Sequence, residues 1–236
     1  MATAAKIETD VSTIFGMTWA ARDGHVIPKT DDVALKNGAV KLNAVLLYAD
    51  LCHSTTLART FPRSVAAKIV RAYLSSMTQM VTKNGGQVRS FDGDRVMGVF
   101  VGTNKNTAAA KSALQMNYVV QNILRPKAEA KFPSLKTKGF VIDHCVGVAK
   151  SDVFVVRGGV RGSNDLVFIG SAPNIAAKLS EIRNSPWHSY ITWDVFRDLH
   201  ESATLGANKQ PMWTPVKRTI GTESWSLYKS SWIWKP

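Results

Sequence analysis

The sequence predicts an α+β domain, a mostly antiparallel sheet covered by helices. Three observations carry that prediction. Apolar runs of strand length recur from residue 44 onward, three stretches show helical spacing between them, and an Asp-Gly pair joins two of the strand-like runs. At 236 residues, with 45% hydrophobic and 20% charged content, the chain is long enough to bury a sizeable core and too apolar to be disordered.

Residues 1–40 are expected to form an N-terminal extension packed on a catalytic domain of residues 41–236. The extension combines a short helix near Val11 to Arg22 with the turn-rich "RDGHVIPKTDD". "AVLLYADL" (Ala44 to Leu51) is an apolar run ending in an acid, the pattern of a buried central strand. "RSVAAKIVRAYLSSMTQMVTK" places Ile69, Tyr73, Met77, Met80 and Val81 on one helical face, and the glycines after Asn84 stop it. "QVRSFDGDRVMGVF" reads as a hairpin turning on Asp92-Gly93, where a type I′ turn needs positive φ at both central residues.

Thr107 to Leu124 is a second helix, with Thr107 as its N-cap and Pro126 just beyond its end. A basic connector, "KAEAKFPSLKTK", leads to two strand-like runs, "GFVIDHCVGVAK" and "DVFVVRGG". "DLVFIG" is a further strand, and "SAPNIAAKLSEIR" a helix opened by Ser171 with Pro173 in its first turn. "SYITWD" and "ESWSLYKSSWIW" are late strands.

The formal charge of +13 favours a phosphate-bearing partner. Two cysteines, Cys52 and Cys145, make neither a disulfide framework nor a zinc site, which suits a reducing compartment. The N-terminus carries acids and lacks an apolar h-region, and no run approaches the ~20 apolar residues of a membrane span, so a cytoplasmic protein is expected.

Asp50 ends one strand and Asp94 opens the second arm of the hairpin. If those strands are neighbours, two carboxylates reach one sheet edge, the donor set that Mg²⁺ or Mn²⁺ takes beside substrate phosphates. Taken singly, Asp50 reads as well as a cap and Asp94 as a turn residue. On the later helix, Ile175, Leu179 and Ile182 share the packed face, whereas Asn174 and Lys178 share another; for these two alone a solvated stripe is the simpler reading. Ser54 and Thr55 open a helix whose N–H groups suit phosphate, and His53 reads as a turn histidine. The tryptophans Trp213, Trp225, Trp232 and Trp234 read as packing or edge cover rather than a stacking platform for single strands.

"YADLCHST", "GGQVRSFDGDRVMGVF" and "IGSAPNIAAKLSEIR", in that order, resemble the class III nucleotidyl cyclases over about Ala44 to Ile191, roughly two thirds of the chain. The resemblance implies a head-to-tail homodimer with active sites at its interface. Asp50 and Asp94, with the Leu51 carbonyl, match the ligands of two divalent ions, Mn²⁺ or Mg²⁺. Asn174 and Lys178 match the ribose and transition-state contacts given by the other subunit, with lysine where the family has arginine.

Purine cyclases of the class read their base four residues before the hairpin aspartate and three before the later glycine. Those positions hold Ser90 and Val167 here, so both purine-reading tools are missing. Tyr48, Arg89 and Phe91 supply bulk and donors for a smaller base, although Tyr48 and Phe91 read equally as core aromatics. The chain resembles in particular the bacterial pyrimidine cyclases of antiphage defence, the Pycsar system. That implies UTP (or CTP) as substrate and a cyclic nucleotide, cyclic UMP, acting on a separate effector. Two other readings stand beside it: a nucleotide-binding module that has lost catalysis, and a basic nucleic-acid-binding domain. The second leaves the paired acids unexplained, so neither membrane nor nucleic acid is an expected partner.

Overall fold

A computed structural model describes residues 3–160 and 162–236. Helix α1 (Ala4–Phe15) precedes strand β1 (Ala20–Asp23) and the long strand β2 (Gly38–Leu51). Helices α2 (Ser54–Thr60) and α3 (Arg63–Lys83) lead to β3 (Gln87–Asp92) and β4 (Arg95–Phe100). Then come α4 (Lys105–Val119), a π-helical turn (Val120–Leu124), α5 (Arg125–Lys131) and α6 (Ser134–Thr137). The second half holds β5 (His144–Val160), β6 (Ser163–Ile169), α7 (Ser171–Ser180), β7 (Ser189–Thr192), α8 (Trp193–Arg197), β8 (Thr214–Ile220) and β9 (Glu223–Ser230).

One sheet organises the molecule, in the order β3-β4-β2-β5-β7-β9-β8, with β1 beside the start of β2 and β6 beside the end of β5. Its centre is the antiparallel pair β2–β5, in continuous register from Ala39↔Val156 to Leu51↔His144. Among the described residues only β1–β2 and β5–β7 are parallel. Because successive side chains of a strand point to opposite faces, the two faces bury separate cores. Val45, Leu47, Ala49 and Val96 pack under α3 and α4, against Tyr73, Met77, Leu114 and Met116. Leu46, Met97, Cys145 and Ala149 pack under α7, against Ala172, Ile175, Ala176 and Leu179. Gly147 is where α7 touches the sheet: a Cβ there would lie 2.1 Å from the Ala176 carbonyl oxygen.

Several expectations are corrected. The N-terminal helix lies earlier than Val11 to Arg22, because Thr3 caps it and Gly16 ends it, and Ala20 onward pairs with β2. Helix α1 buries no residue, so it is not packed on the domain, although Ile27 and Val33 after it are buried. Thr107 is not an N-cap; Asn104 takes that place and the Thr107 hydroxyl accepts from the His200 amide at 2.9 Å. The second helix does not end before Pro126. It passes through the π turn into α5, where the proline, lacking an N–H, occupies the first turn. The basic connector is accordingly helical, as α5 and α6. The two runs after it form the single strand β5, and β8, whose Pro215 argues against a strand in sequence, lies at the sheet edge, where proline is tolerated.

The hairpin turn is also shifted by one residue. Asp92 pairs with Arg95, so Gly93 and Asp94 are the central residues. Only Gly93 has positive φ (61°), the pattern of a type II′ turn rather than type I′. The tail tryptophans pack: Trp213 is buried and donates to the Ala203 carbonyl, and Trp232 and Trp234 lie against the α3–α4 core.

Candidate active site

Asp50 stands second from the end of β2, opposite Arg95 on β4 and Cys145 on β5. Asp94 precedes Arg95 in the two-residue turn, so both acids arrive at one end of the central strands. Burial pushes the Asp50 carboxyl above its ordinary value, Arg183 pulls it down through a hydrogen bond and its charge, and the Asp94 charge pushes it up again. Only 14% of the Asp50 side chain is exposed.

The C-terminal end of α7 closes over this corner. Arg95 donates to Glu181 at 3.0 Å and to Asp92 at 2.9 Å, and its guanidinium lies 5.4 Å from the Tyr48 ring centre. Arg183, just past the helix, pairs with Asp50, while its Nη1 donates to the carbonyls of Ser180 (2.7 Å) and Ile182 (3.2 Å). Three carboxylates, Asp50, Asp92 and Glu181, thus pair with two guanidiniums in a chain of net charge +13, and Asp94 stands in the turn beside them without an ion pair of its own among the described residues. The local deficit of positive charge, with oxygen donors at two neighbouring backbone positions, fits a divalent cation. Among the described residues no group of three or more His, Cys, Asp or Glu forms a metal cluster, so substrate oxygens or water must complete any coordination shell.

Arg183 escaped the sequence reading. Its signal was a cation just beyond a helix C-terminus, which ordinarily means no more than a dipole partner.

Strand parity sorts the remaining residues. Tyr48, Met97 and Ser90 are directly opposite one another and share a face with Asp50. Tyr48 Oη donates to Met97 Sδ at 2.9 Å, and its ring packs on the α7-side core. Phe91 pairs with Val96 and so points to the other face, where it is 56% exposed. It belongs neither to the core nor to the Tyr48 side. Arg89 is the bulged residue between Val88 and Ser90, and its Nε is buried without a partner. His53 has a left-handed φ of 60°, a conformation uncommon outside glycine, and leads into α2, where Ser54 is half-buried and Thr55 exposed.

Asn174 and Lys178 are exposed on the outer face of α7. Among the described residues the ion pairs of this corner do not include them, and the Lys178 ammonium sits beside Gly221 in the β8–β9 turn. Burial raises the Cys52 thiol to about 12, and Cys145 higher still, so neither is a nucleophile at neutral pH.

The architecture is that of the class III nucleotidyl cyclases. The chain superposes on a guanylyl cyclase crystal structure with a TM-score of 0.66, covering 83% of this chain and 95% of that one at 13% identity. It superposes on an adenylyl cyclase from P. aeruginosa with a TM-score of 0.61, over 81% and 95% of the two chains at 16% identity.

In sequence, the chain is 40% identical to a uridylate cyclase of Rhodovulum sp. (strain MB263), over 98% of this chain and 96% of that one. It is 35% identical to uridylate cyclases of Xanthomonas perforans (98% and 97% covered) and Burkholderia cepacia (99% of each). No family model matches. The chain belongs to the uridylate cyclase family.

Proposed function

We propose that the protein cyclises UTP to 3′,5′-cyclic UMP and pyrophosphate, at sites shared between the subunits of a head-to-tail homodimer. The observation that carries this reading is the meeting of Asp50 and Asp94 at one end of the β2–β4 pair. Here two divalent ions, Mn²⁺ or Mg²⁺, would be held by Asp50, Asp94 and the Leu51 carbonyl. When bound, such ions activate the ribose 3′-hydroxyl and neutralise charge on the leaving pyrophosphate.

The protein's own contribution is positioning and charge. The half-buried acids fix the ion site against the rigid sheet. The first turn of α2, with Ser54 and Thr55, offers N–H and hydroxyl donors to phosphate oxygens. Asn174 and Lys178, exposed and unused by the corner of their own chain, are free to serve the opposing subunit. Asn174 would orient the ribose, and Lys178 would supply a point charge to the transition state.

Tyr48, Ser90 and Arg89 border the base. Arg89 brings a buried donor in need of an acceptor, and a uracil carbonyl supplies one. Neither Ser90 nor Val167 reproduces the purine contacts, so ATP and GTP lose the hydrogen bonds that would hold them. Phe91, facing the other way and exposed, takes no part in the base site. No described helix is long and apolar enough to cross a membrane, and the substrate is a cytoplasmic nucleotide. The product would act as a second messenger on a separate effector in antiphage defence.

The test is mass analysis of products from each of the four ribonucleoside triphosphates with Mn²⁺, alongside Asp50→Ala. Cyclic UMP as the main product, and an inert variant, are expected. ATP or GTP cyclised at least as well as UTP and CTP would remove the pyrimidine assignment, and a predominant cyclic CMP would move it to CTP.

A further inference from the structure

We propose that Arg183 is an exchangeable counter-ion of Asp50: it occupies the carboxylate in the metal-free chain and must let go before a divalent cation binds. The proposal rests on the two-metal reading above and concerns how that site is loaded.

Asp50 is largely enclosed, with 14% of its side chain exposed, so its carboxylate needs a partner from the protein. Arg183 compensates with a direct guanidinium–carboxylate hydrogen bond. Arg95 stands opposite Asp50 in register but is already committed to Asp92 and Glu181. Arg183 is therefore the cation that a metal ion displaces, because a guanidinium and a divalent ion at one carboxylate repel each other.

The displacement has a route. One end of Arg183 is tethered, with Nη1 on the Ser180 and Ile182 carbonyls, whereas the Nη2 end holds Asp50. The side chain also lines a cavity of about 130 Å³ with Cys52, His53, Asn184 and Trp187, so the free end can swing without moving α7. A residue that only braced the fold would have no need of such space, and its removal would leave metal affinity unchanged.

The experiment measures the Mn²⁺ dissociation constant of the intact protein without nucleotide, from the loss of the free-ion electron paramagnetic resonance signal. Arg183→Gln removes the competitor and is expected to bind Mn²⁺ about tenfold tighter than wild type. Arg183→Lys keeps a charge but loses the planar fork, and is expected two- to fivefold tighter. Thermal unfolding establishes that each variant is folded, and if only the lysine variant folds its shift alone decides.

Mn²⁺ affinity equal to or weaker than wild type in a folded variant overturns the exchange. A parallel series with UTP separates the two claims. Mn²⁺ bound by wild type but unaffected by Arg183→Gln sinks the exchange only. Failure of every form to bind Mn²⁺, with or without UTP, sinks the metal reading and the exchange together.

Discussion

The two faces of the sheet solve different problems. Beneath α3 and α4 lies an apolar core, in which most buried polar groups of α4 are paired, the Asn106 side-chain oxygen excepted. Ser112 donates to the Ala108 carbonyl, Asn84 donates to Gln115, and Asn117 donates to the Ser231 and Trp232 carbonyls. Beneath α7, ten residues of helix cover the middle of the other face, and at their end the packing gives way to a half-open cluster of charges. Closure on one side makes the sheet rigid enough to hold, on the other, an arrangement that is unfavourable in itself. Asp50 is the clearest instance, a carboxylate whose burial outweighs its ion pair.

The sharpest way to break this contrast is Asp50→Asn. Loss of the charged ligand is expected to lower the cyclisation rate by about a thousandfold or more. The folded chain holds the ionised acid less well than the unfolded chain does, so Asp50 takes stability away as the pH rises past the ordinary carboxylate value. At neutral pH the metal-free variant is therefore expected to unfold at the same temperature as wild type or higher. A marked drop in unfolding temperature would mean that Asp50 is structural.

The opposite result is expected from the face beneath α3 and α4. Leu114→Ala removes a fully buried side chain and should cost about 2–5 kcal/mol in denaturant unfolding. Turnover per folded molecule should not change, and a selective loss of turnover would erase the division between the faces.

A smaller effect is expected where the faces meet, at the start of β5. His144 is buried with both ring nitrogens unpaired, and burial first, then the neighbouring His188, lowers its pKa to about 3. The fold keeps this imidazole neutral, so the unfolded chain takes up its proton first as pH falls below 6.5. Stability is then lost progressively towards pH 3, by a few kcal/mol. Asp143 acts in the same direction. Burial would raise it, but the neighbouring His188 imidazole, 3.1 Å away, holds it below its usual value, and protonation at low pH removes that support. His144→Phe should flatten the acid side of the stability profile, and an unchanged profile would assign it to other groups.

The acids, the helix of Asn174 and Lys178, and the sheet that carries them were legible because each sits in a short pattern with its own physical signature. Strand parity around the hairpin was not. An Asp-Gly pair suggested a turn on Asp92 and Gly93, whereas the chain turns on Gly93 and Asp94, and a bulge between Val88 and Ser90 shifts the pairing once more. Phe91 pairs with Val96 and so faces away from Tyr48, an orientation that the turn signal alone does not reveal. Arg183 was illegible for another reason. Its partner is 133 residues away in the chain, and nothing in a lone arginine past a helix end names a distant carboxylate. Helix α1 and the π turn before Pro126 were blurred because both depend on local hydrogen-bond choices that composition does not determine.

The seat of α7 on bare backbone at Gly147 has one more consequence. A helix resting in such a notch can neither slide nor roll, so the acids and the residues facing outward from α7 are parts of a single stiff body. Exchanging a side chain beside such a body alters the surface without bending the frame, and Tyr48 and Ser90, on the same side of the sheet as Asp50, are the positions where that would apply.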